Sequence, residues 1–308
     1  MMRVLILGAG ALGSLVGARL SHTDAETVLL STNAEHMRTI RNEGLLVEEL
    51  DGTISRHALQ CCDAPSQVAA APDLTIVLVK SHATEAAVKS VEGLRRDSTV
   101  FLTLQNGMGN WERIAGVVGE GSVLAGTTAQ GATLVAPGRI RHGGAGATHI
   151  GEVHGAASKR VARVVDLFRR AGLDAHSSDH VEQFLWEKLI VNVGINAITA
   201  LTGGRNGVVA DFEAARDISM EAVAEAVTVA EAKGATVSSG MAERVLAIAR
   251  ATSVNRSSMG QDVDRGRRTE IDAINGAVVR FAEEAGVDVP VNRTLTRLVR
   301  TLESVYSA

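Results

Sequence analysis

Lys188, Asn192 and Asn196 stand four residues apart in "WEKLIVNVGINAITA", residues 186–200, a stretch dominated by Leu, Ile, Val and Ala. At 100° per residue, these spacings place the three side chains within about 80° of arc, one polar stripe on an apolar helix. An unpaired buried amide costs roughly 1–3 kcal/mol and an unpaired ammonium far more, so the stripe must face polar partners or a wet cleft. Two readings fit these residues alone. In one, the lysine snorkels to solvent while the asparagines bond neighbouring backbone. In the other, a cation and two amides meet a polar ligand.

A second constellation is "GAGALG", residues 8–13, which follows the apolar run "RVLIL" and opens a helical segment. Gly8 permits the tight turn, Gly10 lets a pyrophosphate approach the backbone, and Gly13 lets helix and strand touch, with Ala9, Ala11 and Leu12 between them. The helix N-terminus favours the anion, so this loop predicts a dinucleotide site. At the next strand tip, "LLSTNAEH" offers Ser31, Thr32 and Asn33, with no carboxylate before Glu35. Nothing there repels a 2′-phosphate and no arginine stands there to hold one, which favours NADP modestly and leaves NAD open. Arg38 and Arg41 follow as candidate helpers.

The elements that must position these residues change character along the chain. Up to residue 118, apolar runs ("RVLILG", "TVLLS", "LTIVLVK", "TVFLTLQ") alternate with helical segments at 11–21, 34–43, 83–93 and 110–118. This is the pattern of a Rossmann-type parallel sheet covered on both faces. After Gly121, the segments "SVLAGTTAQGATLVAPGRIRHGG" and "THIGEV" read as added antiparallel strands, with a turn at Pro137-Gly138; His142 falls on an edge strand facing solvent. A helix near 157–171 and a short strand, "DAHSS", complete this part. From Asp179 onward the texture is all-helical, with helices expected over 180–202, 210–234, 240–251, 269–286 and 292–306. The fold class is therefore α/β. A dinucleotide-binding domain, 1–178, precedes a helical domain, 179–308, and the two are expected to pack around a cleft.

A chain of 308 residues with 45% hydrophobic residues supports two domains. Its net charge of −4, without a basic cluster, gives no case for nucleic acid or an anionic membrane surface. The start lacks the features of a signal peptide, and no run approaches the roughly 18 apolar residues of a span, so a cytoplasmic protein is expected. Cys61 and Cys62 are adjacent, which suits packing thiols rather than a disulfide framework. No His, Cys and carboxylate cluster has ligand spacing, so no metal is expected.

Several segments together resemble the ketopantoate reductase (2-dehydropantoate 2-reductase) family: "GAGALG", "VKS" at 79–81, "QNG" at 105–107, "GATLVAPGRIRHGG", "WEKLIVNVGINAITA" and "NRSSMGQDVDRGRRTEIDAING" at 255–276. They stand in the family's order and spacing over nearly the whole chain. The resemblance implies an NADP-linked reductase of a small 2-oxo acid, 2-dehydropantoate foremost, with a homodimer as a further expectation. It implies that Lys188 is the proton donor and Glu270 its catalytic companion. Asn106, Asn192, Asn196 and Ser258 would bind substrate, while Lys80, Asn106 and Glu270 would line the cofactor beside Ser31, Thr32 and the glycine loop. Thr269 in "TEID" reads as a helix cap with Asp272 reaching back, and "SMGQ" makes Ser258 a capping candidate as well. Two departures stand out: many members carry an Arg close to where Thr32 stands, and Gly266 replaces a bulkier residue. The rival expectations are a related dehydrogenase of an opine-like or polyol phosphate substrate, and a non-catalytic NADP sensor.

Overall fold

The structure is a computed structural model that describes residues 1–307. The chain forms two compact units. Met1–Gln105 and Asn110–Val181 make the first, and Asn106–Gly109 joins the residues from Glu182 onward in the second. The second unit begins at Glu182 and takes in a four-residue loop from the middle of the first half.

In the first unit, β1 (Arg3–Leu7), β2 (Glu26–Leu30), β5 (Gln60–Cys62), β6 (Leu74–Val77), β7 (Val100–Thr103), β8 (Val123–Thr128), β11 (Thr148–Glu152) and β12 (Ala175–Ser177) build one sheet, in the order β12-β11-β8-β7-β6-β1-β2-β5. Every pairing is parallel except β8 with β11. The helices of this unit are α1 (Ala11–Leu20), α2 (Ala34–Glu43), α3 (Thr84–Val91), α4 (Asn110–Val118) and α5 (Lys159–Arg170). Val4, Leu5, Ile6 and Leu7 are all buried, which is why β1 reads as continuous apolar sequence rather than as an alternation. Leu7 pairs with both Leu30 and Val77, so β1, β2 and β6 end level and their following loops share one sheet edge. Ligands of open α/β sheets bind at that edge.

The region after Gly121 contains the expected antiparallel pairs, with one difference and one addition. β8 runs parallel to β7 and only its other side is antiparallel, toward β11. The hairpin of β9 (Gly131–Ala136) and β10 (Arg139–Gly144) leaves that sheet and joins β3 (Leu45–Glu48) and β4 (Ile54–His57) in a second one, ordered β4-β3-β10-β9. Only four residues each, β3 (LLVE) and β4 (ISRH) are too short to announce themselves. His142 is buried, at 7% exposure, its Nε2 within 3.1 Å of Gln130 Oε1, which corrects its assignment to a solvent-facing edge.

The second unit is helical: α6 (Val181–Thr202), α7 (Val208–Asp211), α8 (Glu213–Ala232), α9 (Met241–Ala251), α10 (Ser258–Asp264), α11 (Asn275–Ala285) and α12 (Pro290–Ser307). Trp186, Leu189, Ile190, Val193 and Ile198 of α6 lie in its core. By length and apolar composition α6 could cross a membrane, but 72% of its most apolar stretch is buried within the protein, as befits a central core helix. The helix expected over 269–286 is interrupted. Ile271–Ala273 is a 3₁₀ turn, and Ile274, at φ −104° and ψ −98°, separates it from α11.

Candidate active site

At the first unit's sheet edge, Gly8 has φ +103°, and a Cβ there would lie 2.3 Å from the backbone nitrogen of Val79. A Cβ on Gly13 would lie 2.3 Å from the Gly8 carbonyl oxygen. Both glycines are demanded by the fold itself. Gly10 is different, because a Cβ there would meet nothing within 4 Å. The bare backbone of Gly10 therefore faces open space beside the N-terminus of α1, where the first N–H groups, those of Ala11, Leu12 and Gly13, have no carbonyl a turn earlier in the helix. This surface has the shape and polarity that a pyrophosphate requires.

Beside it, at the β2 tip, Ser31 is half-buried and Thr32 exposed, and Asn33 caps α2 by accepting the His36 N–H at 3.2 Å. Arg41 is not a free helper: its guanidinium donates to the Cys61 carbonyl at 3.1 Å and lies 3.8 Å from Asp63. Arg38 is exposed on α2. Lys80, half-buried, starts a 3₁₀ turn just past β6. Gln105, a residue the sequence reading passed over in "QNG", braces that loop: its Nε2 donates to the Val79 carbonyl at 2.6 Å and to the Thr84 hydroxyl at 2.8 Å.

In the second unit, α6 carries the stripe as its spacing requires. Lys188 and Asn192 are half-buried, and Asn196 is 5% exposed. The side-chain nitrogens of Asn192 and Asn196 are buried and have no hydrogen-bond partner. The reading in which they bond neighbouring backbone fails for these atoms; each is a donor aimed at an acceptor that the protein does not supply. Burial pushes the Lys188 ammonium from its ordinary 10.5 down to about 8, and the charge of Glu270 opposes that shift. Lys188 and the 5% exposed Glu270 therefore lie within electrostatic reach, 82 positions apart in sequence.

Asn106 opens the four-residue loop that belongs to this unit. Met108 N–H donates to the Ala273 carbonyl at 2.8 Å, and Ala273 N–H donates to the Glu270 carbonyl at 3.0 Å, so the Asn106 loop and the Glu270 turn are tied by backbone. Gly107, at φ +80°, is packed so closely that a Cβ would sit 2.3 Å from the Ala273 oxygen.

The capping expectations are corrected here. Ser257, not Ser258, caps α10, its hydroxyl accepting the Gly260 N–H at 3.0 Å and bonding Thr199 at 2.7 Å. Ser258 is exposed and its hydroxyl plays no part in starting the helix. Thr269 accepts the Ile271 N–H, but Asp272 does not reach back: it pairs with Arg268 and Arg300, and the Thr269 N–H goes to Glu303 at 2.7 Å. Two arginines outcompete one amide for that carboxylate because charge-assisted bonds are the stronger ones. Arg256, the basic residue that a phosphate substrate would need, is spent on the Thr199 and Gly204 carbonyls and on Asp264.

Comparison with known proteins assigns the chain. The family model described as ketopantoate reductase PanE/ApbA matches residues 4–155, and that described as ketopantoate reductase PanE/ApbA C terminal matches residues 180–303. The chain belongs to the ketopantoate reductase family. Among its relatives, the 2-dehydropantoate 2-reductase of Halobacterium salinarum is 42% identical over 97% of this chain and 98% of its own length. That of Pyrococcus horikoshii is 36% identical over 99% and 98%. A crystal structure of a PanE/ApbA family ketopantoate reductase from Ralstonia eutropha superposes with TM-score 0.92 at 31% identity, covering 100% of both chains. D-mandelate dehydrogenase in its ternary structure with NADH and anilino(oxo)acetate superposes with TM-score 0.91 at 27% identity, again over 100% of both chains.

Proposed function

We propose that the protein reduces a small 2-oxo acid, 2-dehydropantoate foremost, to the 2-hydroxy acid with NADPH. The observation that carries this reading is the α6 stripe: two buried amide donors without acceptors beside a lysine whose proton is loosened and whose charge is matched by Glu270. A 2-oxo acid supplies what that face lacks, since its carboxylate and carbonyl oxygens are acceptors only.

The reduced nicotinamide dinucleotide, when bound, supplies the hydride. Gly8–Gly13 would hold its pyrophosphate, Ser31 and Thr32 its ribose end, and Lys80 would line the same edge. Asn192 and Asn196 donate to the acid's oxygens. Lys188 donates a hydrogen bond to the keto oxygen, stabilises the alkoxide as negative charge develops there, and transfers its proton to it. Glu270 accepts from a substrate hydroxyl and keeps Lys188 protonated near neutral pH; Asn106 and Ser258 complete the polar lining. A lysine with pKa near 8 suits this work, being charged at neutral pH yet easily deprotonated.

A second reading is a D-2-hydroxy acid dehydrogenase that uses NADH. It is favoured by the β2 tip, which lacks an arginine, and by the likeness to D-mandelate dehydrogenase. A polyol phosphate substrate loses support because Arg256 is already engaged. Steady-state assays with NADPH and NADH against 2-dehydropantoate, pyruvate and benzoylformate separate these readings. We expect the highest kcat/KM for 2-dehydropantoate with NADPH; a higher value for benzoylformate with NADH would select the second reading.

A further inference from the structure

His36 is fully buried in α2, between the glycine loop and the hairpin turn, and no expected role accounts for it. Its Nδ1 accepts the Gly138 N–H at 2.8 Å. The other ring nitrogen lies 3.0 Å from Ser14 Oγ in α1, and Ser14 Oγ lies 3.4 Å from the Ala9 carbonyl. These contacts set the tautomer. Because Nδ1 accepts, Nε2 carries the ring proton and donates to Ser14, whose own proton is then directed at Ala9. A doubly protonated ring would set two donors against each other at Gly138, and burial separately lowers the His36 pKa. The same residue's backbone N–H binds Asn33 at the β2 tip.

We infer that His36 and Ser14 are positioning residues for the dinucleotide, a two-link chain that holds the Gly8–Gly13 loop against α2 and the β9–β10 turn so that the loop meets the pyrophosphate already shaped. The inference rests on the dinucleotide reading of that loop. Preorganisation of this kind appears in affinity, because a loosened loop must be ordered again on binding.

The test is NADPH affinity by titration calorimetry in wild type, Ser14→Ala, His36→Asn and the double variant, with kcat at saturating NADPH beside it. Asparagine keeps an acceptor near Gly138 and removes the donor to Ser14. Each single variant should raise the NADPH Kd about 3- to 10-fold, the scale of one lost hydrogen bond. Its kcat should stay within about twofold, and the double variant should be no worse than the weaker single, because both break one chain. Wild-type affinity in folded Ser14→Ala overturns the inference, as do additive losses in the double variant. If His36→Asn does not fold, Ser14→Ala alone decides. Wild-type protein that binds no NADPH at all would sink the dinucleotide reading and this inference together; wild-type binding with an unaffected Ser14→Ala sinks the inference only.

Discussion

Lys188 sits where its charge costs stability, and that cost shapes its chemistry. Its folded pKa of about 8 lies below the ordinary 10.5, so between those values the unfolded chain binds more protons and stability rises with pH across that window. At neutral pH the folded protein carries a partly desolvated cation. Lys188→Met should therefore show a Tm equal to or above wild type by calorimetry while losing turnover, and a clear drop in Tm would contradict this account of the site. In kinetics the sign is opposite: if Lys188 is the proposed proton donor, it is lost as pH rises, so kcat/KM for the 2-oxo acid should fall above about pH 8. Because the Glu270 charge holds that value up, Glu270→Gln should move the alkaline limb to lower pH as well as weaken turnover. A limb that stays in place would separate Glu270 from the proton donor.

Among the elements, the glycine loop divides fold from function. Gly8→Ala forces a side chain into a left-handed backbone and onto Val79, and should cost several kcal/mol or prevent folding. Gly10→Ala has room, so its Tm should match wild type while its NADPH Kd rises at least about tenfold, since the added methyl would occupy the proposed approach of the pyrophosphate. Equal effects on Tm and Kd in both variants would refute this division. The loop and the α6 stripe were legible in the sequence because spacing alone puts their groups on one turn or one face. The α6 helix itself runs Val181–Thr202, within a residue of its expected span. The second sheet was not legible: β3 and β4 become strands only through pairing with each other and with β10. Capping was half legible. Serines and acids at helix starts were visible, but which of Ser257 and Ser258 caps, and where Asp272 turns, depends on Thr199, Arg268 and Arg300, far away in sequence or competing locally. His36 and Ser14 gave no signal because the partners are remote: His36 lies 22 positions from Ser14 and 102 from Gly138.

At the scale of the molecule, the two family segments divide as the two units do. Residues 4–155 carry the Gly8–Gly13 loop and 180–303 carry the α6 stripe and Glu270, while the Asn106–Gly109 loop crosses that division. The β2 tip of the first unit, with Ser31, Thr32 and Asn33, neither repels a 2′-phosphate nor offers it an arginine. NADPH should therefore bind more tightly than NADH by a margin of about tenfold or less, smaller than a bidentate arginine would give. Equal or reversed affinities on titration would refute the preference. The most direct test of the central claim, that Lys188 protonates the product alkoxide of a 2-oxo acid reductase, is turnover of 2-dehydropantoate with saturating NADPH in wild type and in folded Lys188→Ala. The account predicts ready turnover in wild type, a kcat lower by about 10²–10⁴ in the variant, and an unchanged NADPH Kd. Turnover by Lys188→Ala at close to the wild-type rate would contradict it.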